Sequence, residues 1–164
     1  MPEKKTIERA KKDKSEGKSA STQAGEFVHE EIEHVREGKH GARSAKQAIA
    51  IGLSKARRAG VKVAPPKKGT ASEETRSKAK HDAEAGEHPK KPSATRSRAT
   101  SKALKKEGTA AGSHRALSRQ AHSASEKRTA SDRSSAAKKA ARTKGAAGRS
   151  AAAKKAARTR AKKS

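Results

Sequence analysis

The stretch TQAGEFVHEEIEHVREGKHGARSAKQAIAIGLSKARRAG, residues 22–60, decides how this chain folds. Val28, Ile32 and Val35 recur at i, i+4 and i+7, and Ala24 extends them into one stripe, so the spacing predicts an amphipathic helix over 22–37. Gly38 and Gly41 supply a C-cap and a turn. Ser44 followed by Gln47 fits the capping-box pattern, which predicts a second helix over 45–59 that stops at Gly60. Ala45, Ile49, Gly52, Leu53 and Ala56 form its core stripe, with Gln47, Ile51, Ser54 and Arg58 roughly opposite. Two helices joined by a short glycine-bearing turn predict an αα-hairpin, of which the DNA-binding helix-turn-helix is the more specific variant.

Outward from this stretch the chain thins rapidly in apolar residues. Val, Ile, Leu, Met and Phe number 13 in the 164 residues, and nine of them lie between Phe27 and Val63. Mean hydropathy is -1.16, and Phe27 is the single aromatic residue. Composition of this kind argues against one compact domain spanning the chain and against a buried catalytic pocket. Nine large side chains are also few for a lone hairpin, so residues 21–63 are expected to form a homodimer or to fold against neighbouring segments. A short polar helix over 3–16 is a further expectation.

Charge is partitioned as well. The formal net charge is +26, with +6 on residues 1–63 and +20 on residues 64–164. On the first helix Glu26, Glu30, Glu33 and Glu37 cluster about 140° to 200° from Val28 as an acidic stripe. Its simplest role is a solvated face that moderates the second helix, and its functional alternative is a dock for the basic tail. The stretch 39–63 holds seven Lys or Arg and no acid. Pro65 and Pro66 end helix formation and mark a boundary.

Four parts follow from these shifts: a basic arm at 1–20, the hairpin at 21–63, a punctuated basic linker at 64–126, and an Ala/Lys/Arg-rich tail at 127–164. The expected fold class is mostly α with extensive disorder. Short helical segments at 72–85, 93–107 and 113–124 have no core of their own. In the tail, RSSAAKKAARTK (133–144) and RSAAAKKAARTR (149–160) match at ten of twelve positions with a period of 16. Alone, each block is shorter than the roughly 12 to 15 residues at which an isolated helix becomes even marginal, so the free tail is expected to be largely disordered.

Residues 127–164 contain 14 Lys or Arg and one acid, Asp132, which names a polyanion as the partner. The nucleic-acid contacts expected there are Lys138, Lys139, Arg142, Lys144, Arg149, Lys154, Lys155, Arg158, Arg160, Lys162 and Lys163. About ten phosphate contacts would give log K against log salt a slope of about -9. In the hairpin, Arg43 and Lys46 flank a helix N-terminus suited to a phosphate, while Gln47 and Arg58 lie on a face that could read bases.

Other chemistries are poorly served. Cysteine is absent, so no disulfide, thiolate metal site or thiol nucleophile exists. His29 and His34 are spaced i, i+5, not the i, i+4 of a helical zinc-protease motif, and His40, His81, His88, His114 and His122 read as solvated side chains. The chain therefore reads as a non-enzyme with no cofactor and no metal. The apolar run 48–53 is far shorter than the roughly 18 residues of a membrane span, and the first residues are not followed by a signal-peptide core. The expected address is cytoplasmic, on the nucleoid.

The segment KQAIAIGLSKARRAG, Lys46 to Gly60, resembles the most recognisable stretch of a bacterial family of small basic proteins catalogued as a domain of unknown function. The likeness covers roughly the first 70 residues and implies a helical module on DNA-associated proteins, with no catalytic residues. The AAKKAART blocks are similar to the tails of histone H1 and bacterial H1-like proteins, which bind and compact DNA without reading sequence. They depart from that pattern in lacking frequent proline, and no winged-helix domain accompanies them. These observations lead to the expectation of a nucleoid-associated protein bound to double-stranded DNA. An RNA- or ribosome-associated protein, or an interaction module tethered by its tail, are the alternatives.

Overall fold

The computed structural model describes residues 2–88 and 93–161. It is 75% helical, and the expectation of extensive disorder is overturned. Seven α-helices are present among the described residues: α1 (Lys4–Ser15), α2 (Ala20–Arg36), α3 (Ala45–Arg58), α4 (Glu73–Glu87), α5 (Ala94–Lys105), α6 (His114–Glu126) and α7 (Ala130–Ala161). A 3-10 turn spans Ala110–Gly112. The chain divides into two compact units, residues 1–120 and 121–164. No helix among the described residues is long and apolar enough to cross a membrane.

Serine side chains open most of the helices. Ser19, Ser44, Ser72 and Ser93 each accept a hydrogen bond from the backbone N–H three residues on, satisfying one of the donors that a helix start leaves without a partner. At Ser44 the arrangement is reciprocal in spirit: Gln47 N–H donates to the serine hydroxyl at 3.2 Å, and the Arg43 N–H donates to Gln47 Oε1 at 2.8 Å. The end of α2 is equally specific. Gly38 adopts φ +72°, its N–H reaches the Val35 carbonyl, and the Lys39 N–H reaches the His34 carbonyl. This Schellman motif needs a residue that tolerates the left-handed region, and it turns the chain into the α2–α3 loop.

In the first unit, α2 packs on α3, α1 packs on α2, α4 packs on α3, and the 3-10 turn touches both central helices. The hairpin is therefore covered by its own neighbours. Two small clusters form the core: Ala10, Ala24, Phe27 and Ala56 in one, and Val35, Ala42, Ala48 and Ala111 in the other. Ile7, Leu53, Val61 and Val63 pack around the first. Alanine dominates because the helices approach closely. A Cβ at Gly52 would stand 2.6 Å from the Val28 Cα, so only glycine fits at that crossing.

These contacts explain why a chain so poor in large apolar residues folds. Small side chains bring backbones into van der Waals contact, and dispersion summed over many close atoms replaces bulky packing. Backbone bonds extend the lock: Gly41 N–H donates to the Leu104 carbonyl, Ala42 N–H to Gly108, and Arg36 Nε to Gly112. The segment after α5 is thus held against the α2–α3 loop.

In the second unit, α7 contains one non-helical residue, Gly145, at φ 63° and ψ 176°. The expected disorder of the tail is corrected here, and the reason is composition. Alanine has the highest helix propensity, and Thr129 caps the start, its hydroxyl accepting from Asp132 N–H at 3.1 Å and donating to the Asp132 carboxylate at 2.8 Å. Gly145 falls between the two repeat copies, so each copy forms its own helical segment.

Candidate nucleic-acid interface and a buried ionic cluster

Within each tail copy three cations share one side of the helix, while Arg133, Arg149 and Arg160 fall on the other. At about 100° per residue, Lys138, Lys139 and Arg142 fall within roughly 100° of one another, while Ala136, Ala137, Ala140 and Ala141 occupy the other side. Lys154, Lys155 and Arg158 repeat the arrangement with Ala152, Ala153, Ala156 and Ala157. The six cations are exposed, as are Arg149 and Arg160. Arg149 also donates to the Ala141 carbonyl at 2.7 Å, across the break at Gly145. Lys162, Lys163 and the side chain of Lys144 lie outside the described residues.

The hairpin candidates are placed differently from one another. Arg43 is exposed, 3.6 Å from Glu107, and Lys46 is exposed. Gln47 is engaged in capping. Arg58 Nε lies 2.7 Å from the Asp82 carboxylate on α4. The two groups expected to read bases, Gln47 and Arg58, thus make contacts within the fold. A second basic stripe, absent from the sequence-based set, runs along α5 through Arg98, Lys102, Lys105 and Lys106. Its signal was available, since i, i+4, i+7 and i+8 spacing defines one helical face for charged residues as it does for apolar ones.

The largest departure from expectation lies under the hairpin. The residues that α2 buries are Ala24, Phe27, Glu30, Glu31 and Val35, a face rotated from the expected one, while Val28 and Ile32 are only half-buried. Glu31 is fully buried. The Lys55 Nζ stands 2.6 Å from its Oε2 and 3.2 Å from Glu30 Oε1. His40 Nε2 stands 3.4 Å from Glu31 Oε1. Neither oxygen of Glu31 has a well-aligned hydrogen bond, so the ammonium serves it as a close charge partner and not as a directed donor.

The acidic stripe is also partly enclosed. Glu30 accepts from the Glu3 N–H at 2.9 Å, and Glu26 lies 3.5 Å from Arg9 on α1. Glu33 pairs with Arg36 and Glu37 with Lys39. Burial pushes the Glu30 carboxyl up, but Thr6, the Glu3 N–H and Lys55 together outweigh it and hold the group below its usual value. Glu3 in turn accepts from His34 Nε2 at 2.8 Å. That bond, followed by Lys39, lowers the Glu3 carboxyl.

His34 and His40 are consequently not solvated side chains. Their exposures are 14% and 17%, and their rings meet edge to face at 6.0 Å between centroids. The helical spacing rules missed them because the glycine turn at Gly38 brings residue 40 back onto α2.

Residues 11–68 match a family of unknown function, DUF6496. No curated protein and no solved structure matches the chain. The DUF6496 match takes in α2, α3 and the whole ionic cluster of Glu30, Glu31, His34, His40 and Lys55. The repeat tail and the α5 stripe lie outside it.

Proposed function

We propose that this chain is a non-enzymatic, nucleoid-associated bacterial protein that neutralises phosphates and bridges or compacts double-stranded DNA without reading its sequence, in the manner of histone H1 tails. The observation that carries the reading is the duplicated cationic face, Lys138, Lys139 and Arg142 followed by Lys154, Lys155 and Arg158. Each copy backs these three cations mainly with alanine, and Asp132, seven residues before Lys139, is the one acid in the tail. Two further observations support duplex over single strands and charge over sequence. Phe27, the one aromatic residue, is 1% exposed and offers no stacking platform. Gln47 and Arg58 are occupied by Arg43 and Asp82.

The test is a fluorescence-anisotropy titration of a DNA duplex by the full chain across a salt series. Six phosphate contacts from the two faces give a slope of log K against log salt of about -5, with any contribution from α5 making it steeper. Affinities equal for duplexes of unrelated sequence support the reading. Absence of binding at low salt overturns it, and a strong preference for structured RNA in competition would transfer the tail to a different polyanion.

A further inference from the structure

We propose that Glu31, His34 and His40 form a binding site for a divalent transition cation of the zinc class. One ligand atom from each of the three residues lies within 4.8 Å of the others. A tetrahedral zinc with nitrogen and oxygen ligands holds those atoms about 3.4 Å apart, so closure needs side-chain shifts of only about 1 Å. Two imidazoles and one carboxylate, with a fourth position left to water, are a donor set that suits this cation.

The hydrogen bonds on the far side of each ring strengthen the assignment. His40 Nδ1 lies 3.1 Å from the Gly41 carbonyl. A carbonyl can only accept, so Nδ1 carries a proton, and the tautomer that this bond selects has its lone pair on Nε2. Nε2 faces Glu31 Oε1 at 3.4 Å, which places the two atoms to share a cation. His34 Nε2 lies 2.8 Å from the Glu3 carboxylate, also an acceptor, so the tautomer that this bond selects has its lone pair on Nδ1. A carboxylate behind one histidine and a backbone carbonyl behind the other are the outer partners that fix metal-binding imidazoles.

Local charge agrees. Glu3, Glu30 and Glu31 bring three carboxylates, against the ammonium groups of Lys39 and Lys55. The surplus is one negative charge, and Lys39 is shared with Glu37 as well. Glu31 also divides its oxygens between roles: Lys55 holds Oε2, leaving Oε1 toward His40 for the cation. Its burial without an aligned hydrogen bond marks a carboxylate that lacks a directed partner. A cation there would tie the α2–α3 loop to α2, and because the unfolded chain has no such site, binding would stabilise the fold.

The test titrates the tag-free full chain with zinc chloride by calorimetry. One equivalent is expected to bind, with affinity lowered at least about tenfold in His34→Gln and in His40→Gln, and unchanged in His114→Gln and His122→Gln. Ring-nitrogen NMR shifts on the unsubstituted protein provide a measurement that needs no variant, and zinc should move those of two histidines out of seven. No stoichiometric binding, loss shared by the control variants, or shifts spread over the other histidines would overturn the assignment. None of these readouts involves DNA, so the outcome is separate from that of the charge-driven reading.

Discussion

Replacing Lys138, Lys139 and Arg142 together with alanine tests whether one tail face acts as a counted set of phosphate contacts. Alanine preserves helix propensity, so the substitution removes charge with little change to α7. Each phosphate contact contributes about -0.9 to the salt slope, and two faces of three cations give about -5.4. The triple variant should fall to about -2.7. Between 50 and 200 mM salt, the parent would lose affinity by about 1,800-fold and the variant by only about 40-fold. Anisotropy titrations at four or more salt concentrations resolve that difference, with circular dichroism confirming unchanged helicity. A control variant, K4A/K5A/K11A, removes three exposed charges from α1. If it changes the slope as much as the tail variant does, net charge alone sets the affinity and the duplicated face has no special role.

Lys55→Met should destabilise the protein by about 3 kcal/mol in urea unfolding, because it leaves Glu31 buried without its charge partner. A loss below about 1 kcal/mol would show that the Lys55 ammonium is not needed to hold Glu31 in the core. Gly52→Ala should lower the unfolding midpoint by about 1 to 3 kcal/mol equivalent despite alanine's better helix propensity, since its Cβ meets the α2 backbone. A higher midpoint would mean that α2 and α3 can separate freely. Glu30 is held below its ordinary value in the folded state, so the stability it adds is present above the unfolded carboxyl range near 4.5 and lost as pH falls through its folded value. Glu30→Gln should flatten that acid-side loss in a pH series of urea midpoints, and an unchanged profile would count against the Thr6, Glu3 and Lys55 contacts.

Much of the helical framework was legible in residues alone. Ser44 with Gln47, and Gly38 after a periodic run, mark a helix start and a helix end by backbone chemistry that tertiary contacts seldom override. The placement of the core was less accessible. Periodicity weighted Val28 and Ile32, whereas α2 buries Phe27 and Glu31. A buried carboxylate reads as solvent-facing until Lys55 from another helix is seen beside it. The alanine core was hidden for a related reason: each residue contributes little hydropathy, yet its smallness permits the close crossing at Gly52. His34 and His40 meet across a turn, and no fixed helical spacing describes that. The order of the tail was underestimated because each block was weighed by its short length, which hid the helix propensity of its alanines.

The break at Gly145 has a geometric effect on how the two tail copies meet a ligand. On an unbroken helix, a 16-residue period would rotate the second cationic face by about 160° from the first, pointing the two nearly back to back. Such a rod could touch a single duplex with only one copy at a time. Interrupting the helix at Gly145 resets that phase, so binding by one copy need not turn the other away. If the tail binds DNA as proposed, the second copy would engage at the effective concentration set by its short covalent link, and the gain from the repeat would be avidity over two weak sites, not the sum of their charges.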